Sequence, residues 1–200
     1  MNEGRPQRVL GHRPMTENRG PGSQIENNMK LLILGAGEYG QLVKELARNQ
    51  YPTIDFLDDN SDAAIGKLGE YQNLKDQYQN AIVAIGNNEI RYQWLLKLEE
   101  AGYTLATLIS DKAYISPSAT IEPGVIIEPM VVVNANATIK KGSIISAGAV
   151  INHNAVVSEG SHIDCNAIVG ADAIVPKLSK LYYGQVFAKV GEPDNWKFSE

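Results

Sequence analysis

The chain has 200 residues, 44% of them hydrophobic and 20% charged, with a formal net charge of −5. That is room for two small domains or one larger one of ordinary soluble composition, and the acidic balance leaves no electrostatic footprint for a nucleic-acid partner. No apolar run approaches the roughly 20 residues that span a bilayer, and the N-terminus lacks the apolar stretch of a secretory signal, so membrane insertion is not expected and a cytoplasmic location is.

Residues 1–28 are rich in Pro, Gly, Arg, Asn and Gln with hardly an apolar side chain, and such a stretch cannot bury enough surface to offset chain entropy. A disordered tail is expected there. It holds four Arg and three Glu, so the remaining body carries 14 basic and 20 acidic residues.

From Lys30 the pattern reads strand, glycine turn, helix, strand. Leu31 to Leu34 is fully apolar, Gly35-Ala36-Gly37-Glu38-Tyr39-Gly40 follows, and Leu42, Val43, Leu46 and Ala47 supply a helical face. Ile54 to Leu57 predicts a second strand ending in Asp58-Asp59. Ala81 to Ile85 predicts a third, followed by Gly86-Asn87-Asn88 as a helix N-cap and by Ile90, Trp94, Leu95 and Leu98 on one helical face. Tyr103 to Ile109 reads as a fourth strand. Strands alternating with helices imply a small parallel sheet over residues 29–110, covered on both faces.

G-x-G-x-x-G between a strand and a helix is a phosphate-binding fingerprint: glycines permit the tight turn and close backbone approach, and the helix N-terminus offers aligned N–H groups. Asp58 and Asp59, at a strand end some twenty residues on, suit ribose hydroxyls. About eighty residues make only one mononucleotide half of a full dinucleotide fold, so a nucleotide diphosphate fits better than NAD. Gly35, Gly37, Tyr39, Gly40, Asp58, Asp59, Gly86 and Asn87 are the candidate contacts.

Beyond Ser110 the period changes. An aliphatic residue returns every sixth position at Ile115, Ile121, Ile127, Val133, Ile139, Ile145, Ile151, Val157, Ile163, Val169, Val175 and Leu181. Neither a helix nor a flat strand keeps a strict six, so short strands broken by regular corners are implied, as in a parallel β-helix over residues 111–187. Three positions after each aliphatic residue, most residues are Gly, Asn or Asp, which tolerate the left-handed backbone of a tight corner. The next position is almost always Ala, Ser or Val, with Gln185 the exception that marks the end of the coil. The two periods imply two separate cores, and residues 188–200, with Trp196, form a tail or a cap.

The only cysteine, Cys165, excludes a disulfide or a thiolate metal site built within one chain. Two histidines lie outside the tail. His153 follows Ile151 by two and so stands at a corner, with Ala135 and Ala171 one coil either side, clear of a low wall along which a ligand can lie. An imidazole suits the role of general base for an attacking amine or hydroxyl. His162, just before Ile163, falls on the outer surface of a strand. Nine residues at about 3.3 Å each carry the chain along one side and around a corner, so the two imidazoles are not expected to meet within one subunit.

Phe56-Leu57-Asp58-Asp59, Ala84-Ile85-Gly86-Asn87-Asn88-Glu89-Ile90-Arg91, Ile115-Ser116-Pro117-Ser118-Ala119, Asn152-His153-Asn154 and Ser161-His162, in that order, resemble the sialic acid O-acetyltransferase family. Within it, they look most like the bacterial enzymes that N-acetylate UDP-4-amino-sugars. The resemblance implies an α/β Rossmann-like domain followed by a left-handed parallel β-helix. It also implies a homotrimer, acetyl-CoA as co-substrate between neighbouring β-helices, and no metal. It makes His153, with Asn154 beside it, the catalytic base. It places His162 and Ala171 near the acceptor and the acyl-CoA, and turns the glycine loop into a nucleotide-sugar site. Two residues depart from the family pattern: Asn154 stands where an acidic residue usually follows the base, and Tyr39 where a histidine is common. The coil is also about one and a half turns shorter than the pattern.

The expected function is acyl-CoA-dependent N- or O-acetylation of a UDP-amino sugar. The alternatives are acetylation of a small amine or amino acid and a non-catalytic nucleotide-sugar-binding trimer. A zinc-dependent β-helix hydratase wants three histidine ligands where the body has two.

Overall fold

The computed structural model describes residues 29–189; the expectations for residues 1–28 and for Trp196 lie outside these. β1 (Lys30–Leu34), β2 (Thr53–Leu57), β3 (Asn80–Val83) and β4 (Thr104–Leu105) form one parallel sheet in the order β2-β1-β3-β4. α1 (Glu38–Ala47) connects β1 to β2, a 3-10 helix (Leu68–Leu74) lies between β2 and β3, and α2 (Asn88–Glu100) connects β3 to β4. Side chains of β1 alternate: Leu31 and Ile33 face α1, while Leu32 and Leu34 face α2 with Leu95 and Leu98. A strand buried on both faces has to be apolar throughout, which is why Leu31 to Leu34 is an unbroken run.

The expected fourth strand is in fact two pieces. Thr104–Leu105 completes the sheet, whereas Leu108–Ile109 pairs with Ile126–Ile127 and is already the first strand of a triangular prism. Fourteen two-residue strands wrap this prism, four on one face and five on each of the other two. Strands one coil apart pair in parallel at a register of eighteen, as Ile145 does with Ile163. The aliphatic hexad points inward and is almost wholly buried, stacked with Ala and Val at the narrow corners. Each such Ile or Val contributes about 1.5–3 kcal/mol by leaving water. The backbone is left-handed at eleven of the twelve expected corners, Met130 and Leu178 included; only Ser118 is not. The coil therefore imposes its corner even where the side chain disfavours it.

The prism interior is a core of its own, as expected, but the sheet domain's core on the α1 side is shared with the outside of the prism. One residue before the inward aliphatic, the outer column of one face reads Leu108, Ile126, Ile144, His162 and Lys180. Its first three members are buried with Leu31, Ile33, Val43, Ala47 and Phe56 in a single cluster. That face is covered by the sheet domain. The expected face of α2 also shifts by one residue: Ile90 is exposed and Arg91 takes the buried place.

Candidate active site

The sheet order places β1 beside β3, with the chain leaving β1 toward β2 on one side and β3 on the other. Such a switch point opens a crevice at the carboxyl ends of the strands. Gly35 to Gly40 and Gly86 to Asn88 form its two lips. Gly35 is left-handed, with φ of 106°, and a Cβ there would meet the Ala84 carbonyl oxygen at 2.8 Å. A Cβ on Gly40 would collide with the Gly35 carbonyl. These two glycines close the loop against the fold, whereas Gly37 and Gly86 face open space.

The Asp58 carboxylate is already occupied. Oδ2 accepts from the Ala36 amide at 2.7 Å and Oδ1 from the Asn60 amide at 2.8 Å, which holds the group below the usual carboxylate range. Asp58 thus braces the glycine loop. Asp59 is exposed and accepts from the Leu68 amide. Asn87 caps α2 by accepting from the Ile90 amide at 3.0 Å. Tyr39 points inward; its hydroxyl is buried against Glu128 without a well-formed hydrogen bond, and burial followed by Glu128 pushes it well above its ordinary value.

Arg91 holds the Gly86 lip to the prism. It is 1% exposed, and its guanidinium donates to the carbonyls of Ile85 (2.9 Å), Gly86 (3.2 Å), Gly142 (3.0 Å) and Gly160 (2.7 Å) and to Asn88 Oδ1 (2.8 Å). Burial lowers it to about 10, so it is charged at neutral pH. Asn88 Nδ2 in turn donates to the carbonyls of Leu178 and Ser179, both at 2.9 Å. Beside them lies an open hollow of about 450 Å³ lined by Gly86, Asn87, Asn88, Glu89, Leu178 and Lys180. A larger hollow of about 570 Å³ lies at the other edge of the covered face, between α1 and the corners at Asp111 and Pro129.

His162 lies within the covered face, 9% exposed, rather than on an open strand surface as its position implied. The sheet domain covers it. Burial first, then Lys180 and, most weakly, Arg91 lower it to about 4, while Asp164 pulls the other way. Asp164, 3% exposed, pairs with Lys180 at 3.4 Å. Glu128, Ser146, Asp164 and Lys180 were not singled out from the sequence. The signal was present: at a spacing of eighteen one column turns from apolar to ionisable at His162, and the column two residues on, Ser110, Glu128, Ser146 and Asp164, is polar throughout.

His153 is elsewhere. It stands, exposed, on the corner between the other two faces, which in a triangle is the corner opposite the covered one. The two histidines are therefore not brought together in one chain. Along this corner Ser118, Asn136, Asn154 and Asp172 form a ladder: Ser118 Oγ accepts from the Asn136 amide, Asn136 Nδ2 donates to Asn154 Oδ1 at 3.3 Å, and Asn154 Nδ2 to Asp172 Oδ1 at 3.0 Å. Asn154 Nδ2 also lies 3.3 Å from His153 Nδ1. A carboxylate does reach this histidine's surroundings, from one coil further on and through an amide. Ala135 and Ala171 flank His153 in the neighbouring coils, Ala135 exposed and Ala171 half-buried. Among the described residues no three His, Cys, Asp or Glu side chains are grouped to hold a metal ion, and no helix is long and apolar enough to cross a membrane.

Residues 30–98 match the PglD N-terminal domain family. The whole described body is similar to the acetyltransferase domain of PglB from Neisseria gonorrhoeae FA1090, at 31% identity and a TM-score of 0.76, over 80% of this chain and 82% of that one. The same domain in complex with acetyl coenzyme A gives 28% identity and a TM-score of 0.68, over 81% and 94%. A perosamine N-acetyltransferase variant from Caulobacter crescentus, solved with CoA and GDP-perosamine, shares the fold at 22% identity and a TM-score of 0.52, over 81% and 94%. A Rossmann-like layer followed by a left-handed parallel β-helix is the architecture in common, and the chain belongs to the hexapeptide-repeat sugar acetyltransferase family.

Proposed function

We propose that the protein transfers an acetyl group from acetyl-CoA to the amine of a nucleotide-activated amino sugar, UDP-linked, and acts as a homotrimer. The observation that carries this reading is the placement of its two halves. A nucleotide crevice lies over one face of the prism, and an exposed histidine lies on the opposite corner, so a sugar held by one copy meets the His153 of another. Support for self-association comes from the outer column Tyr114, Val132, Val150, Ile168 and Val186, apolar throughout, with Tyr114, Ile168 and Val186 exposed. The acetyl donor follows from the PglB acetyltransferase domain, which has been solved with acetyl coenzyme A.

In this reading Gly37 and Gly86 let the pyrophosphate approach the backbone at the helix N-termini. His153 takes the proton from the acceptor amine as nitrogen attacks the thioester carbonyl, the C–S bond breaks, and CoA leaves as its thiol after protonation. Backbone N–H groups at the corners stabilise the oxyanion. In the free chain the Asn154 amide donor faces Nδ1, which favours the proton on Nε2; the exposed ring must turn away from this 3.3 Å contact when the acceptor binds. The test is CoA release with UDP-amino sugars for wild type and His153→Ala. Wild-type turnover in the variant removes His153 from the mechanism.

That Asn154 contact favours one alternative: a trimer that binds a nucleotide sugar without acyl transfer. Thermal stabilisation by UDP-sugars but not by acetyl-CoA would select it.

A further inference from the structure

Beneath the sheet domain, three polar side chains from three successive coils form a line that the transfer steps above do not use. Glu128, Ser146 and His162 are 5%, 4% and 9% exposed. Glu128 Oε2 accepts from the Ala147 amide at 3.0 Å, which fixes the carboxylate. Its Oε1 lies 3.3 Å from Ser146 Oγ, and Ser146 Oγ lies 3.0 Å from His162 Nε2.

A hydroxyl has one hydrogen to give. An ionised carboxylate takes it, so Ser146 offers only lone pairs to the imidazole, and Nε2 has to be the protonated nitrogen. A neutral imidazole then carries its lone pair on Nδ1, which is the atom left buried without a hydrogen-bond partner. Because burial holds the ring at about 4, it is neutral throughout the physiological range, and the tautomer is what matters. The other charged groups around the ring are Lys180 and Asp164 on the prism and Arg91 on α2. Lys180, its partner in the next coil, lines the hollow under the Gly86 lip.

We propose that Glu128 and Ser146 are positioning residues that fix His162 as the Nε2–H tautomer, so that its Nδ1 lone pair accepts a hydrogen bond from an N–H or O–H group of the acceptor substrate. The identity of that donor rests on the acetyl-transfer reading; the tautomer does not. Protonating Glu128 reverses the line: the acid donates to Ser146, Ser146 donates to Nε2, and the imidazole proton moves to Nδ1, leaving a donor where the substrate needs an acceptor. Burial first, and Asp164 more weakly, raise Glu128 above its ordinary range against the Ala147 amide, Ser146 and the Tyr39 hydroxyl from α1, so this reversal comes at a higher pH than an exposed carboxylate would give, and acceptor binding weakens as pH falls through it.

The experiment is long-range proton–nitrogen NMR of the full chain labelled with nitrogen-15 histidine, with His162→Gln to assign the ring. Wild type shows a protonated Nε2 and a bare Nδ1 near neutral pH. Glu128→Gln, whose amide donates toward Ser146, shifts the proton to Nδ1. Ser146→Ala gives a mixture, and Ser146→Thr restores the wild-type spectrum. In the acetyl-transfer assay, Glu128→Gln and Ser146→Ala raise the acceptor KM about tenfold, the scale of one lost hydrogen bond, with a smaller change in kcat. A wild-type ring protonated at Nδ1, or a Ser146→Ala variant with unchanged spectrum and unchanged KM, overturns the proposal. The expected spectra together with no acetyl transfer to any amino sugar support the tautomer and overturn the reading of the activity.

Discussion

The covered face and the opposite corner of the prism are built from the same six-residue repeat, yet they treat a histidine in opposite ways. His162 sits on a column whose earlier members are Leu108, Ile126 and Ile144, so the sheet domain lies over it, drains its water and holds it neutral. His153 sits on a corner between small neighbours and keeps its solvent. The repeat sets where a side chain points; the composition of its column sets what covers it. One histidine is thereby suited to accept a hydrogen bond within a dry junction, and the other to meet a ligand that arrives from outside.

The sharpest way to break this contrast is His153→Ala. If the exposed ring is the base, transfer falls by roughly 10²- to 10⁴-fold while stability stays within about 0.5 kcal/mol, because an exposed side chain supports little packing. Activity assays and denaturant titration of the same sample measure both. On the covered side the order is reversed. Ile144→Ala opens a cavity between the sheet domain and the prism and costs about 2–5 kcal/mol, read from the denaturation midpoint.

Arg91→Met tests the clamp. It removes a buried charge together with the donors to Gly142 and Gly160, leaving buried carbonyls unsatisfied, and a loss of about 3 kcal/mol is expected in the same titration. A pH series sharpens the comparison further. His162 has a folded value of about 4, below its unfolded value near 6.5, so the folded chain binds fewer protons between them. Stability from this group is complete above about 6.5 and is lost as pH falls toward 4, on the order of 3 kcal/mol in all. His162→Gln should flatten the wild-type stability profile over that window. The smallest structural effect is expected at the crevice. Gly37→Ala has room for its methyl and should shift stability by less than about 0.5 kcal/mol while weakening nucleotide-sugar binding in calorimetry.

The prism was the most legible part of the chain. Ile127, Ile145 and Ile163 announce an inward ladder by spacing alone, and Gly142, Asn154 and Gly160 announce its corners, since both signals are local. The sheet domain was legible for the same reason, with Leu31 to Leu34 and Ala81 to Val83 apolar on both faces. What sequence reading missed was long-range. It took Tyr103 to Ile109 as one strand because nothing local marks the handover at Ala106 and Thr107 from one sheet to another. It missed the cluster shared by the sheet domain and the prism because the outward column Leu108, Ile126, Ile144 is invisible until the register of eighteen is drawn. At the site, the glycine loop was placed, but Asp58 proved to be engaged with the loop itself and Tyr39 to be turned inward, both consequences of contacts with Ala36 and Glu128 that no spacing encodes.

The eighteen-residue register has a further consequence, for how such a chain tolerates changes in length. Inserting one whole coil lengthens the prism and leaves every downstream residue on its own face. Inserting a single hexad also keeps the inward aliphatic ladder intact, so the chain still folds as a prism, but every later residue moves around by one face. Six residues added between Val157 and Ser161 would move His162 from the covered face onto the outer column of Val132 and Val150. Chain length in this fold is thus a three-position switch, and a histidine can change surroundings without a single substitution.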